Sequence, residues 1–123
     1  MNLFVYGTLK SNFDNDFAKY LRGKATYMGQ GKVFGRMYLL GWYPGIILDK
    51  DGYEIIGEVY HLSLQAEEVL AKLDDYEGVE LGDYRRVLRT IFVNDLPIKC
   101  WVYETLIETD IEIKSGEFLA PSN

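Results

Sequence analysis

The sequence predicts an α+β domain in which a small mixed sheet curls into a β-barrel with one main helix against it. Three observations lead there. Of 123 residues, 15% are aromatic, ten of them tyrosine, and 12 glycines stand against 3 prolines. Abundant aromatics with scattered glycines suit strands and tight turns better than a helix bundle. Several glycines also fall inside strand-like runs, where they mark bulges and the bends found at the corners of a small barrel. Finally, one stretch, residues 64–77, carries the clearest helical period.

In chain order, "NLFVYG" is a short apolar run ended by Gly7 and reads as a buried strand. Next comes a short helix in which Phe17, Tyr20 and Leu21 recur at helical spacing, with Asn12 or Asp14 as cap and Gly23 as terminator. "ATYMGQGKVFGRMYLLG" is strand-like and interrupted at Gly29, Gly31 and Gly35. "GWYPGIILDKDGYEIIGEVYHL" gives a loop, a short strand, the turn signal "DKDG" and another strand. Ser63 is the expected N-cap of "LQAEEVLAKLDDYE", and Gly78 its C-terminal stop. "DYRRVLRTIFV" and "IKCWVYETL" form a hairpin through "NDLP", and the tail "SGEFLAPSN" shows no period. No repeat or linker interrupts the chain, so residues 1–123 are expected to form one domain.

The formal net charge of −6 disfavours nucleic acid and anionic membranes, since both select clustered Lys and Arg. Arg85, Arg86 and Arg89 are the one candidate basic patch. No stretch is long and apolar enough to span a bilayer, and "MNLFVYG" lacks the basic region and cleavage site of a signal peptide. The single cysteine, Cys100, excludes an internal disulfide and any multi-cysteine metal site. A soluble cytoplasmic protein is the simplest expectation.

The chemistry begins with a misplaced charge. At about 100° per residue, Ala66, Val69, Leu70 and Leu73 share one arc of the main helix, the face that meets the sheet. Glu67, Glu68, Lys72, Asp74 and Asp75 fall outside it. Glu77 falls inside, four residues after Leu73. Partial burial and the negative end of the helix dipole both disfavour an anion there, which suits a carboxylate to proton transfer near neutral pH. The opposing reading is a helix-end glutamate that bends outward or pairs with Arg85 or Arg86.

A second feature is "VYGTLK", which puts a glycine and a hydroxyl directly after a buried strand. Gly7 permits unusual backbone angles and close approach of a ligand. The amides of Gly7, Thr8 and Leu9 are then candidates to converge on an anion such as a carboxylate. Neither a P-loop nor a dinucleotide fingerprint is present.

These pieces together resemble the γ-glutamylcyclotransferase-like superfamily, which includes γ-glutamylamine cyclotransferases and AIG2-like proteins. The matching stretches are "FVYGTLK", "GWYPGIIL", "GEVYHL", "LDDYEGV" followed by "YRR", "WVYETL" and "SGEFL", in order over nearly the whole chain. The resemblance implies a small β-barrel flanked by helices, with a cavity at one mouth lined by Tyr6, Gly7, Thr8 and Leu9. It places the acid/base glutamate at Glu77, the residue that the helix period singles out separately. It implies cyclisation of a small γ-glutamyl substrate: the α-amine attacks its own γ-carbonyl, giving 5-oxoproline and a free amine, without metal or cofactor. Tyr84 and Arg86 match the family's Tyr-x-Arg, and Tyr103 resembles a cavity-lining residue.

The remaining residues have plainer readings. Arg86 is expected in a structural ion pair, while Tyr84 and Tyr103 serve substrate or core. Trp42, Tyr43 and Pro44 form a wall of the mouth or a packed loop. His61 reads as a strand-end histidine and Cys100 as inert core. Asp74, Asp75, Glu80 and Asp83 read as a solvated helix end, since their spacing matches no calcium loop. A glycosidase would need a second inward acid, for which Glu58 is the candidate. Two further readings stand beside cyclisation: γ-glutamyl acyl transfer from a carrier or modified amine, and non-catalytic binding of a small ligand in the same cavity.

Overall fold

A computed structural model describes residues 1–63, 65–80 and 82–119. The elements are β1 (Asn2–Val5), α1 (Asp16–Lys24), β2 (Thr26–Leu40), β3 (Tyr43–Leu48), β4 (Tyr53–His61), α2 (Ala66–Glu77), β5 (Tyr84–Val93) and β6 (Leu96–Thr105). Following the paired strands β1, β4, β2, β5 and β6 leads back to β1, so the sheet closes into a five-stranded barrel. β3 lies antiparallel to the far half of β2 and parallel to the end of β6. The β1–β6 and β3–β6 pairs are parallel and the rest antiparallel, which makes the sheet mixed.

Closure follows from β2, whose 15 residues reach both halves of the barrel. Its register against β4 slips between Tyr27 and Gly29, a bulge that adds the bend a closed sheet needs. On the inner face Gly57 makes room for the barrel's central aromatic. A Cβ there would collide with the Phe4 ring and the Val5 carbonyl. The β5–β6 hairpin turns on Asn94 and Asp95, both left-handed (φ 51° and 64°), two residue types that tolerate this conformation best after glycine.

Two apolar clusters result from strand alternation. Phe4, Met37, Ile46, Ile55, Val59, Ile91, Cys100 and Val102 fill the barrel. Leu3 and Val5, on the other face of β1, join Leu21 of α1 and Val69, Leu70 and Leu73 of α2 in a second cluster outside it. The helices touch through Phe17 and Tyr76, stacked at 4.3 Å.

Three expected boundaries move. Asn15, not Asn12 or Asp14, caps α1, accepting from the Ala18 amide at 2.8 Å. That helix runs through Gly23 to Lys24 and stops where Ala25 turns extended into β2. Ser63 does not cap α2. Leu62 is still tied to Met1 across the sheet, its amide 2.7 Å from the Met1 carbonyl, so the helix starts only after a left-handed Gln65 with no side-chain cap. The expected start at Leu64 and the last four tail residues lie outside the described residues. At the other end Gly78 behaves as expected, left-handed at φ 73° with its amide returning to Asp74 and Asp75.

Candidate active site

A cavity of about 260 Å³ opens where three segments meet: the loop after β1, the start of β3, and the end of α2 leading into β5. That volume lies just below the roughly 300 Å³ at which drug-sized pockets begin, suiting a ligand of amino-acid scale. All seven site residues expected from sequence line it: Tyr6, Gly7, Thr8, Leu9, Glu77, Tyr84 and Tyr103.

The loop is held from behind. Tyr6 turns its hydroxyl into the core, donating to the Tyr103 carbonyl and accepting from the Ile46 amide. The Lys10 amide closes the turn onto the Gly7 carbonyl at 3.1 Å. Thr8 hydrogen-bonds through Oγ1 with the Tyr76 hydroxyl at 2.7 Å, and its carbonyl accepts from Asn15. Gly7 is needed for a different reason from the one expected. Its φ is not left-handed, but a Cβ would lie 2.9 Å from Pro44 Cγ. Tyr84 holds the same proline by donating to its carbonyl at 2.7 Å. Among the described residues, the amides of Gly7, Thr8 and Leu9 donate to no acceptor in the chain.

Opposite the loop, the last turn of α2 carries Tyr76 and Glu77 into the cavity wall. Among the described residues the Glu77 carboxyl has neither a hydrogen bond nor an ion pair. Arg85 pairs with Glu104 at 2.6 Å and Arg86 with Asp74 at 2.8 Å, so the ion-pair reading of Glu77 fails. Burial, and second the negative charge of Asp74, push its pKa up to about 8. Burial, with the charge of Glu77 behind it, likewise drives Tyr84 up; burial and a hydrogen bond to Asp74 drive Tyr103 up. Both hydroxyls therefore remain protonated donors at neutral pH.

Asp74 corrects the sequence reading. Expected in solvent, it is half-buried, accepting from Arg86 at 2.8 and 3.2 Å and from the Tyr103 hydroxyl at 2.7 Å. Arg86 lies in turn over the Trp101 ring, 4.4 Å from its centroid. Arg85 and Arg86 are thus engaged, and the basic patch dissolves. Glu58 also lies outside the cavity, accepting from the amide and hydroxyl of Ser11. Trp42, Tyr43 and Pro44 do form a wall, with Trp42 exposed at the rim. His61 hydrogen-bonds with Asn2 at the barrel surface, and Cys100 is core, burial pushing its thiol up to about 11. In the lining the sequence reading missed Phe4, Val5 and Gly78, took Asp75 and Asp83 for a solvated helix end, and missed Tyr76. Its signal was present: it lies seven residues after Val69, hence on the same helix face.

The γ-glutamyl cyclotransferase, AIG2-like family model matches residues 3–120. The chain belongs to that family. It is 29% identical over 104 residues to a Halalkalibacterium halodurans protein provisionally named a γ-glutamylcyclotransferase, covering 80% of this chain and 91% of that one. It is 31% identical over 91 residues to the γ-L-glutamyl-butirosin B γ-glutamyl cyclotransferase of Niallia circulans, covering 73% of this chain. The match spans only about half of that enzyme, 54% of its length. The crystal structure of an AIG2-like protein from Mus musculus superposes with a TM-score of 0.70 at 26% identity, over 89% of this chain and 79% of that one. The barrel with two helices is the fold of this family, and the relatives support a γ-glutamyl cyclotransferase-like function. Among the described residues, no helix is long and apolar enough to cross a membrane.

Proposed function

We propose that this AIG2-like chain cyclises a small γ-glutamyl substrate to 5-oxoproline, with Glu77 as general acid and base. The observation that carries this reading is that the Glu77 carboxyl and the three loop amides, none with a partner among the described residues, belong to the lining of one small cavity. The substrate's α-amine attacks its γ-carbonyl; a C–N bond forms, and the bond to the leaving amine breaks. Glu77 takes one proton from the α-ammonium, freeing the amine to attack, and gives it to the leaving nitrogen. It then takes the second proton from the new ring nitrogen and passes it to the released amine, so the step consumes no net proton. With a pKa of about 8, roughly a tenth of Glu77 is ionised at pH 7, and a bound ammonium beside it raises that fraction. The amides of Gly7, Thr8 and Leu9 hold negative charge, either the substrate carboxylate or the developing oxyanion. Confinement brings amine and carbonyl together, which supplies much of the rate.

The test is 5-oxoproline release from a panel of γ-glutamyl amines and dipeptides. Glu77→Gln should lower kcat by about 10²–10⁴-fold. Full activity in that variant would overturn the role of Glu77. Release of glutamate would instead indicate hydrolysis, and tight binding without turnover a ligand-binding protein.

A further inference from the structure

One buried ionisable group has no part in the proposed chemistry. Lys10 directly follows the amide loop and is 5% exposed. Its ammonium donates to the main-chain carbonyl of Phe118, near the far end of the chain. Burial lowers the Lys10 pKa, while the charges of Glu117 and Glu58 oppose that and keep the cation in place. A lysine is almost never this buried without partners, and its long stem is costly to immobilise.

The acceptor segment is itself fixed. The Gly116 carbonyl accepts from the Ile56 amide of β4 at 2.8 Å, and the Gly116 amide returns to Ile113 at 3.1 Å. Gly116 is left-handed at φ 73°, and a Cβ there would collide with the Glu54 carbonyl. The Phe118 ring stacks on Phe13, centroids 5.7 Å apart and planes 7° from parallel. The Phe13 amide in turn donates to the Lys10 carbonyl at 3.0 Å. Residues 116–118 therefore grip the loop after β1 at two points, Lys10 and Phe13. Glu58, on the same strand as Ile56, holds Ser11, which lies between those two points, through its amide and hydroxyl. The far side of this loop is the cavity wall.

We propose that residues 116–118 are a strap which, through Lys10 and Phe13, sets the position of the Gly7–Leu9 amides, and that Lys10 is a positioning residue. This rests on the cyclotransferase reading. The logic is mechanical. The amides are presented by a turn whose closing bond is the Lys10 amide, and the Lys10 side chain ties that turn to the barrel. Loss of the ammonium frees the turn and leaves the Phe118 carbonyl without its donor.

Lys10→Met keeps the stem and removes the donor. Phe118→Ala loosens the strap from its own side, and Ile91→Val serves as a remote core control. Two quantities are read: exchange of the hydrogen-bonded Lys10, Ser11 and Phe13 amides, and steady-state kinetics on an accepted γ-glutamyl substrate. Both loop variants should speed exchange and lower kcat/KM about tenfold, because small displacements of positioned groups are amplified in rate. Lys10→Arg, which keeps a charged donor, should recover part of both, and Ile91→Val should change neither. Unchanged exchange, or equal acceleration in the control, overturns the strap. Faster exchange with undiminished kcat/KM overturns the positioning role. If no γ-glutamyl substrate is turned over by the unmodified protein, the cyclotransferase reading fails, while the exchange measurement still decides the strap.

Discussion

Strand β6 divides the molecule, and its two faces differ in what they do with polar groups. Cys100 and Val102 point into the barrel, where the core is apolar. At the end of that face Glu104 is buried but saturated, accepting from the Leu48 amide at 2.7 Å and from Arg85. On the other face Tyr103 joins the cluster under the helices, where hydroxyls and carboxylates mix with leucines. Asp74 there is satisfied by Arg86 and Tyr103, yet Glu77, three residues on, is not. Buried charges are ordinarily paired because desolvation of an unpaired one is expensive. The barrel face therefore answers its polar groups within the chain. The unresolved electrostatic demand sits in the cavity, where a substrate can answer it.

The sharpest way to break this division is to exchange the damage. Ile91 is fully buried inside the barrel; Ile91→Ala should cost about 3 kcal/mol by urea denaturation, from lost burial and the cavity left behind. Its kcat/KM per folded molecule should stay unchanged. Glu77→Gln should do the reverse, losing activity with little cost in stability at pH 6. The Glu77 pKa is raised on folding, so between its unfolded value near 4.5 and its folded value of about 8 the folded state holds a proton that the unfolded chain has released. Glu77 thus contributes stability that is full below the lower value and lost as pH rises through the upper one. The Gln variant should gain on the native protein by roughly 1–3 kcal/mol between pH 5 and pH 9, discounted for the residue's partial exposure. A parallel pair of pH–stability curves would contradict the buried-carboxyl picture.

The comparison sharpens at Asp74, whose charge is the second cause of the Glu77 shift. Asp74→Asn removes that charge and frees the Arg86 cation, and both changes favour ionised Glu77. The acid limb of the kcat/KM profile should therefore move to lower pH, by less than about one unit, because burial, the larger cause, remains. Stability should fall by about 1 kcal/mol as Arg86 loses a half-buried partner. A limb that stays put, with full activity, would show that Glu77 does not feel its neighbour.

Much of this was readable from residue order. The helix face marked Glu77 because its 3.6-residue period is set by backbone geometry alone. "VYGTL" marked the loop through a glycine and a hydroxyl directly after a buried strand, together with its match to the family's loop. The reason for Gly7, close packing against Pro44, needed a residue 37 positions away (44 − 7), and no local rule reports such contacts. Asp74 was misread for a related cause. It lies about 40° beyond Leu70 on the helix wheel, at the margin between buried and solvated. Only the fold, which brings Arg86 and Tyr103 across from β5 and β6, decides the side. Capping failed in the same way at Ser63, where a favourable local propensity yields to the sheet contact at Leu62.

The smallest effect is expected where the loop meets the helix directly. Thr8 and Tyr76 share a hydrogen bond at 2.7 Å, and Tyr76 also stacks on Phe17. Thr8→Val keeps the volume and removes the hydroxyl. The Tyr76 ring stays in place through its stacking, and its half-exposed hydroxyl can turn to water, so stability should drop by no more than about 1 kcal/mol. The consequence for turnover separates two roles of the pair. If the bond only ties loop to helix, the stacked ring preserves the tie and KM and kcat both hold. If it fixes the facing of the loop amides to Glu77, kcat/KM falls several-fold although the melting curve barely moves, and Thr8→Ser, which restores the hydroxyl, recovers it. Ile91 offers no counterpart to that second result, since it does not line the cavity.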